Sequence, residues 1–342
     1  MCEKIEIVQL NQELYSLYYQ MVSNTLWGNP MLPSTYESSL WGVIALNKNN
    51  VIAGWVGMVK GNTPIANFLT KCVYFDSYPI FVSNEIKEQY QELLVRFTRE
   101  YAKKDGIIML HLTHWIRGND VLLDYIEPNA TFATTLHRSE EKLWKLVESK
   151  QRNCVRKGEK SGVECIVCKG NDSLQYLSDF QRLRQQTQRH AITKHSRASM
   201  LLKSDAFFQK LFMSANTTLF VGRVDNQVAT VALMIQSGRT VYYYSGGSDY
   251  ELNKQYSCSA FVIWKAICYF NERGLDIFDM GGVPVKPAKN HPAYGVYAFK
   301  RSFGGEYQEF KAGDIVISSF KYKILKSILS QRKVLRFFST KI

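Results

Sequence analysis

The sequence predicts an α/β fold in which two related units, each built on a mixed sheet, follow one another along the chain. Three observations carry this. A β-hairpin pattern, a further strand, a long helix and another strand occur in that order twice. At 342 residues the chain is long enough for two domains, each with its own core. With 46% hydrophobic and 21% charged residues, the composition is that of a globular protein, without disordered or low-complexity bias.

Residues 1–22 read as a helical opening, followed by "LWGNPMLPSTYESSLW", which is rich in turn formers. "WGVIALNKNNVIAGWVGMVKG" reads as two apolar strands around an Asn-rich turn. After "YFDSYPIFVS" comes an amphipathic helix, "NEIKEQYQELLVRFTREYAKKDG", which ends in a lysine pair and a glycine stop. "IIMLHLTHW" is the next strand. The charged helical stretch "ATTLHRSEEKLWKLVESKQRNCVRKGEKSG" marks the joint, so the expected units are 1–140 and 141–317. In the second unit, "TTLFVGRVDNQVATVALMIQSGRTVYYYSGGS" reads as strand, Asp-Asn turn, strand, Gly-Arg turn, strand. The helix "SCSAFVIWKAICYFNERG" and the strand "LDIFDMGGV" complete the repeat. One later stretch breaks the pattern. "GVYAFKRSFGGEYQEF" (295–310) sets Lys300 and Arg301 side by side among five aromatics, where a half-buried strand would alternate. On the residues alone, the two charges lie on alternate faces of an edge strand and one faces water.

Lysine and arginine outnumber aspartate and glutamate by 43 to 30, a net charge of +13. Such an excess draws a protein toward nucleic acid, nucleotide phosphates or an anionic membrane face, and a basic solvated surface explains it equally well. Seven cysteines are spread along the chain. The opening "MCEKIEIVQLNQELYSLYYQ" lacks the cationic end and apolar run of a signal peptide, and no stretch of about 18 apolar residues could span a bilayer. Reduced thiols in a cytoplasmic protein fit best. Cys165 and Cys168 form a CxxC pair, but no second Cys/His pair stands at ligand spacing. They read as small core residues, and no metal is expected.

The order "RHAIT", "YYYSGGS", "IFDMGGV", "YAFKRSFGG" between Arg189 and Gly305 resembles the Fem family of peptidoglycan-bridge aminoacyltransferases. That resemblance implies two tandem GNAT-like domains. "EKSGVECIVCKGNDSLQY" passes from helix to strand to helix and leaves no room for the coiled-coil arm of most members, so the likeness is to the short, armless FemX type. It implies transfer of an aminoacyl group from aminoacyl-tRNA, as a donor substrate rather than a cofactor, to an amine on a cell-wall or other envelope precursor. An aminoacyl ester is already activated. The protein must supply positioning and a donor for the oxyanion.

In the resemblance, Lys300 stabilises the oxyanion, Phe299 packs at the acyl site, and Gly304 and Gly305 allow close backbone approach. Arg189 matches the arginine that binds substrate phosphate. Arg189, His190 and Thr193 fall at helical spacing, which gives a small polar cluster. The lysine that grips the nucleotide in armless relatives has no counterpart in "LPSTYESSLW". Tyr243 is aligned for the acceptor channel, with Tyr242 and Tyr244 sent to the other face by alternation. Asp279, at a strand end before a glycine pair, orients a substrate amine or Lys300, or caps a turn.

Arg152, Arg156 and Lys160 fall at i, i+4 and i+8 and, with Lys157, make a basic stripe that suits a tRNA backbone or simply water. The tail "KYKILKSILSQRKVLRFFSTKI" has seven basic residues and no acidic one. Its charges suit peripheral contact with an anionic membrane, while the resemblance has its apolar face, within 318–342, pack back on the first domain. A different donor, acyl-CoA acting on an amino sugar, keeps the fold. The loop that would cradle its pyrophosphate, "ELNKQYSCSAF", has no glycine. A non-catalytic RNA-binding module is the third class, carried by net charge alone.

Overall fold

The computed structural model describes residues 5–23, 40–60, 71–75, 77–112, 121–194 and 205–327, with only the backbone of 23, 60 and 188–194. In chain order the elements are β1 (Ile5–Gln9), α1 (Gln12–Ser23), β2 (Leu40–Asn47), β3 (Asn50–Lys60), β4 (Cys72–Phe75) and β5 (Ile80–Phe81). Next come α2 (Asn84–Lys104), β6 (Met109–Leu112), β7 (Tyr125–Thr135), α3 (Glu140–Leu146), α4 (Ser149–Lys160) and β8 (Glu164–Cys168). Then follow α5 (Asn171–Leu174), α6 (Leu177–Lys194), α7 (Asp205–Met213), β9 (Thr217–Val224), β10 (Gln227–Ser237) and β11 (Thr240–Ser248). The chain continues through α8 (Tyr250–Tyr256), α9 (Cys258–Glu272), β12 (Ile277–Asp279), α10 (Tyr294–Arg301) and β13 (Glu306–Val316). A helical segment over 319–327 ends the described chain.

The chain divides into two compact units, 1–128 with 310–342, and 129–309. These boundaries differ from 140 and 317 because the crossings fall inside β7 and β13, where sequence periodicity carries no break. In unit 1 the strand order is β1-β2-β3-β4-β6-β13, with β5 on β3; all neighbours are antiparallel except β4 and β6. Unit 2 runs β8-β9-β10-β11-β12-β7, and again only one pair, β11 and β12, is parallel. The two sheets therefore repeat one plan. Each takes its sixth strand from the sequence that follows the other unit's parallel pair: β13 beside β6, and β7 beside β12.

Local chemistry accounts for most of the elements. The β9–β10 turn holds Asp225 and Asn226 at φ 49° and 59°, the conformation a two-residue hairpin requires. Helix α2 starts on Ser83, whose hydroxyl accepts from the Ile86 N–H, and buries Leu94, Thr98 and Ala102 at four-residue spacing. Helix α9 is buried on nearly every side, from Cys258 to Phe270, and is the centre of the unit 2 core with Phe132, Phe220, Phe278 and Phe303. The expected helix over 1–22 is corrected: alternation in "IEIVQ" wins locally, and β1 pairs with β2 before α1 begins. Cys168 is buried and Cys165 half-buried in β8, and the described cysteines are free thiols. Burial pushes the Cys165 thiol up to about 12, so it is inert at neutral pH.

In unit 1, Asp314 of β13 is 1% exposed and accepts from Tyr322 at 2.6 Å, pairs with Lys326 at 2.8 Å and meets His111 at 2.6 Å. Those donors hold its carboxyl down at about 2 against the upward push of burial. Tyr322 and Leu325 pack with Cys72, Ile108 and Met109, so the apolar face of 319–327 lies on this sheet. Residues 328–342 fall outside the described chain. Among the described residues no helix is long and apolar enough to cross a membrane.

Candidate active site

The stretch around Lys300 is a helix, not the edge strand that the residues alone suggested. Neighbouring residues on a helix point about 100° apart, so two adjacent charges separate. Arg301 turns outward to Glu148 at 2.9 Å, while Lys300 is half-buried and its Nζ donates to the Gly282 carbonyl at 3.1 Å. Burial pulls the Lys300 ammonium down to about 8, against the opposing attraction of Asp279. The Tyr243 ring centroid lies 5.8 Å from Nζ. Burial also drives the Tyr243 phenol up to about 12, so it stays a neutral donor.

Asp279 closes β12 and is 3% exposed. Its Oδ1 accepts from the Gly281 N–H at 2.8 Å and from the hydroxyl of Thr131, which also lies 3.1 Å from the Gly281 carbonyl oxygen. Asp279 thus closes a turn, and its charge favours the ammonium form of Lys300. Gly281 adopts φ 75°, open to glycine at no steric cost. Backbone bonds from β7 grip the turn on both sides, Met280 N–H to Phe132 O at 2.9 Å and Val283 N–H to Ala130 O at 2.7 Å.

The remaining candidates divide. Phe299 packs against the unit 2 core, 5.2 Å edge-on from Phe303. Gly304, at φ 79°, faces the Leu146 carbonyl, which a Cβ there would overlap, so the close approach it permits is by the protein's own backbone. Around Tyr243 the register steps from Leu233↔Ser245 to Met234↔Tyr243. Tyr244 is the extra residue of a bulge, and simple alternation of the three tyrosines fails there. Arg189 and Thr193 lie on α6, but their side chains are outside the described residues, as are positions 32–39 of "LPSTYESSLW".

The basic stripe on α4 is interrupted. Arg152 is half-buried and its Nη1 donates to the Val147 carbonyl at 2.6 Å, capping the end of α3. Arg156 lies over the Trp144 ring at 5.4 Å, Lys157 reaches the Lys254 carbonyl at 3.3 Å, and Lys160 is exposed. Opposite the stripe, Gln151, Val155 and Gly158 are buried.

Sequence reasoning missed two contributors. Thr131 lies 148 residues from Asp279, with no local motif to announce it. The other, Asn253, lies in the glycine-free stretch "ELNKQYSCSAF". Its Oδ1 accepts from the Ser259 N–H at 2.9 Å and the Ser259 hydroxyl at 2.8 Å, while the Ser257 carbonyl takes the Ala260 and Phe261 N–H groups at 3.1 and 3.3 Å. Three first-turn amides of α9, those of Ser259, Ala260 and Phe261, at the place where this fold offers donors to a pyrophosphate, are therefore engaged by the chain itself. No group of His, Cys, Asp or Glu suited to a metal ion occurs among the described residues.

The fold is that of two GNAT-like units, and with the family match over part of the chain it supports an acyltransferase. Residues 215–329 match the model of the FemAB family, a region that holds three of the four motifs, "YYYSGGS", "IFDMGGV" and "YAFKRSFGG". Among solved structures, the chain is similar to FemX, with a TM-score of 0.70 at 16% identity, covering 94% of this chain and 99% of that one. It is also similar to L-PGS from Bacillus licheniformis, with a TM-score of 0.57 at 10% identity, covering 95% and 97%. A tandem GNAT protein from the clavulanic acid biosynthesis pathway aligns with a TM-score of 0.50 at 10% identity, covering 92% and 99%. No curated protein sequence matches.

Proposed function

We propose that the protein transfers an aminoacyl group from aminoacyl-tRNA to an amine of a peptidoglycan or other cell-envelope precursor. The observation that carries this reading is the Lys300 ammonium, withdrawn from water and held by one carbonyl. An ammonium has three donors. With one on Gly282, two remain for an oxyanion. The neutral amine of the acceptor attacks the ester carbonyl carbon, a C–N bond forms, and the displaced electron pair settles on the carbonyl oxygen beside Lys300. Collapse of that intermediate breaks the ester bond and releases the tRNA hydroxyl, with the amine's proton passing to the leaving oxygen directly or by way of solvent. No covalent enzyme intermediate is needed. Likeness in fold to FemX and the family match over 215–329 support the reading.

The capped start of α9 favours tRNA over CoA as donor: a diphosphate placed there meets the Asn253 carbonyl instead of free amides. Arg156, Lys157 and Lys160 are the α4 cations suited to a tRNA backbone, Arg189 and Thr193 to the acceptor's phosphate, and Tyr243 to the acceptor channel. Incubating the protein with a labelled aminoacyl-tRNA pool and envelope precursors, and separately with labelled acetyl-CoA, tests the reading. Label on an amine from tRNA is expected; label from CoA alone overturns it. In the same system, Lys160→Ala is expected to flatten the dependence of log Kd for tRNA on log salt by about 0.7–0.9, measured by filter binding. Arg152→Ala is expected to leave that slope unchanged, because its guanidinium is committed to Val147.

A further inference from the structure

We propose that Thr131 is a positioning residue for Lys300, acting through the Asp279–Gly282 turn; this rests on the reading of Lys300 given above. The chain of contacts is continuous. Thr131, 2% exposed on β7, donates its hydroxyl to Asp279 Oδ1, which also receives the Gly281 N–H at 2.8 Å. The same hydroxyl lies 3.1 Å from the Gly281 carbonyl, and the next carbonyl, Gly282, holds Lys300 Nζ at 3.1 Å. One buried hydroxyl thus holds the carboxylate that attracts the ammonium, and that carboxylate in turn holds, through the Gly281 N–H, the turn whose next carbonyl anchors it. The titratable groups facing Lys300 are Asp279 from β12 and Tyr243 from β11, while Arg301 on its own helix is turned away to Glu148.

Thr131→Val keeps the shape of the side chain and removes the donor. Asp279 then loses one of the bonds that hold its charge in place, its pull on Lys300 weakens, and the ammonium gives up its proton more readily. A filler role for Thr131 predicts none of this, because valine fills the same space on a β-strand.

The test is competitive labelling of the full-length protein with acetic anhydride across pH 6–10, reading Lys300 by peptide mass spectrometry. Thr131→Val is expected to move the midpoint of Lys300 reactivity to lower pH, with Thr131→Ser restoring it. Thr131→Ala is the second variant should valine prevent folding. In the tRNA-dependent transfer assay, kcat is expected to fall about tenfold to a hundredfold with KM unchanged, the scale of a misplaced catalytic group. A Lys300 midpoint identical in wild type and donor-less variants overturns the proposal, whatever the activity does. A shifted midpoint combined with full activity of Lys300→Ala keeps the positioning role and overturns the aminoacyl-transfer reading instead.

Discussion

Replacing Lys300 with alanine is expected to lower kcat by about 10²–10³-fold, equivalent to roughly 2.7–4 kcal/mol of transition-state stabilisation, the loss that follows deletion of one oxyanion donor. Thermal unfolding should change little, because the removed ammonium is desolvated and its hydrogen bond is to a single backbone carbonyl, that of Gly282. Lys300→Arg should also impair turnover, since a planar fork cannot reproduce a compact charge beside a single carbonyl. The pH profile gives an independent check. Burial sets the Lys300 ammonium at about 8, so the form that stabilises an oxyanion is lost as pH rises through that value, and kcat should fall on the alkaline side. Asp279 favours the charged lysine. Asp279→Asn therefore ought to shift that alkaline limb to lower pH. A limb that stays in place, or turnover that survives in Lys300→Ala, removes Lys300 from the mechanism.

The second large effect belongs to stability. Gly304→Ala is expected to cost about 3 kcal/mol or more. The residue sits at φ 79°, and an added Cβ overlaps the Leu146 carbonyl oxygen, with the Leu146 Cβ at 2.7 Å. A non-glycine residue held at positive φ costs on the order of 1–3 kcal/mol, and an overpacked contact adds a similar amount. Backbone, unlike a flexible side-chain tip, has little room to retreat, because Glu148 N–H bonds the Ser302 carbonyl at 2.8 Å and fixes the same two segments together. Tm should drop by on the order of 10 °C, given about 2–4 °C per kcal/mol for a domain of this size. If Gly304→Ala unfolded at the wild-type temperature but lost activity, the glycine would be a substrate contact after all, the role that the family resemblance implied.

Much of this fold was legible because its elements announce themselves locally. The Asp225–Asn226 turn, the lysine-ended helix α2 and the apolar helix α9 all follow from short-range chemistry, and each was found where the residues put it. The exchange of β7 and β13 was not legible: strand pairing across such separations leaves no periodic trace in sequence. The site shows the same division. Lys300 and Asp279 stood inside motifs, but the residues alone favoured a strand at 295–301, because aromatics and β-branched neighbours suit either element. What turned the lysine inward was helical geometry, and what set its surroundings was Thr131, visible only once β7 lies beside the turn after β12.

The crossed strands have a consequence for synthesis. Unit 2 is one uninterrupted run, 129–309, whereas unit 1 needs 310–342. The amino-terminal portion leaves the ribosome with Met109–Leu112 open along one side, and the strand that covers it emerges only after the whole of the intervening unit has been translated. At about 5–20 residues per second that gap lasts roughly ten seconds or longer. During that time the half that is made first remains the less finished one, with an unpaired backbone ribbon of the kind that other chains can pair with.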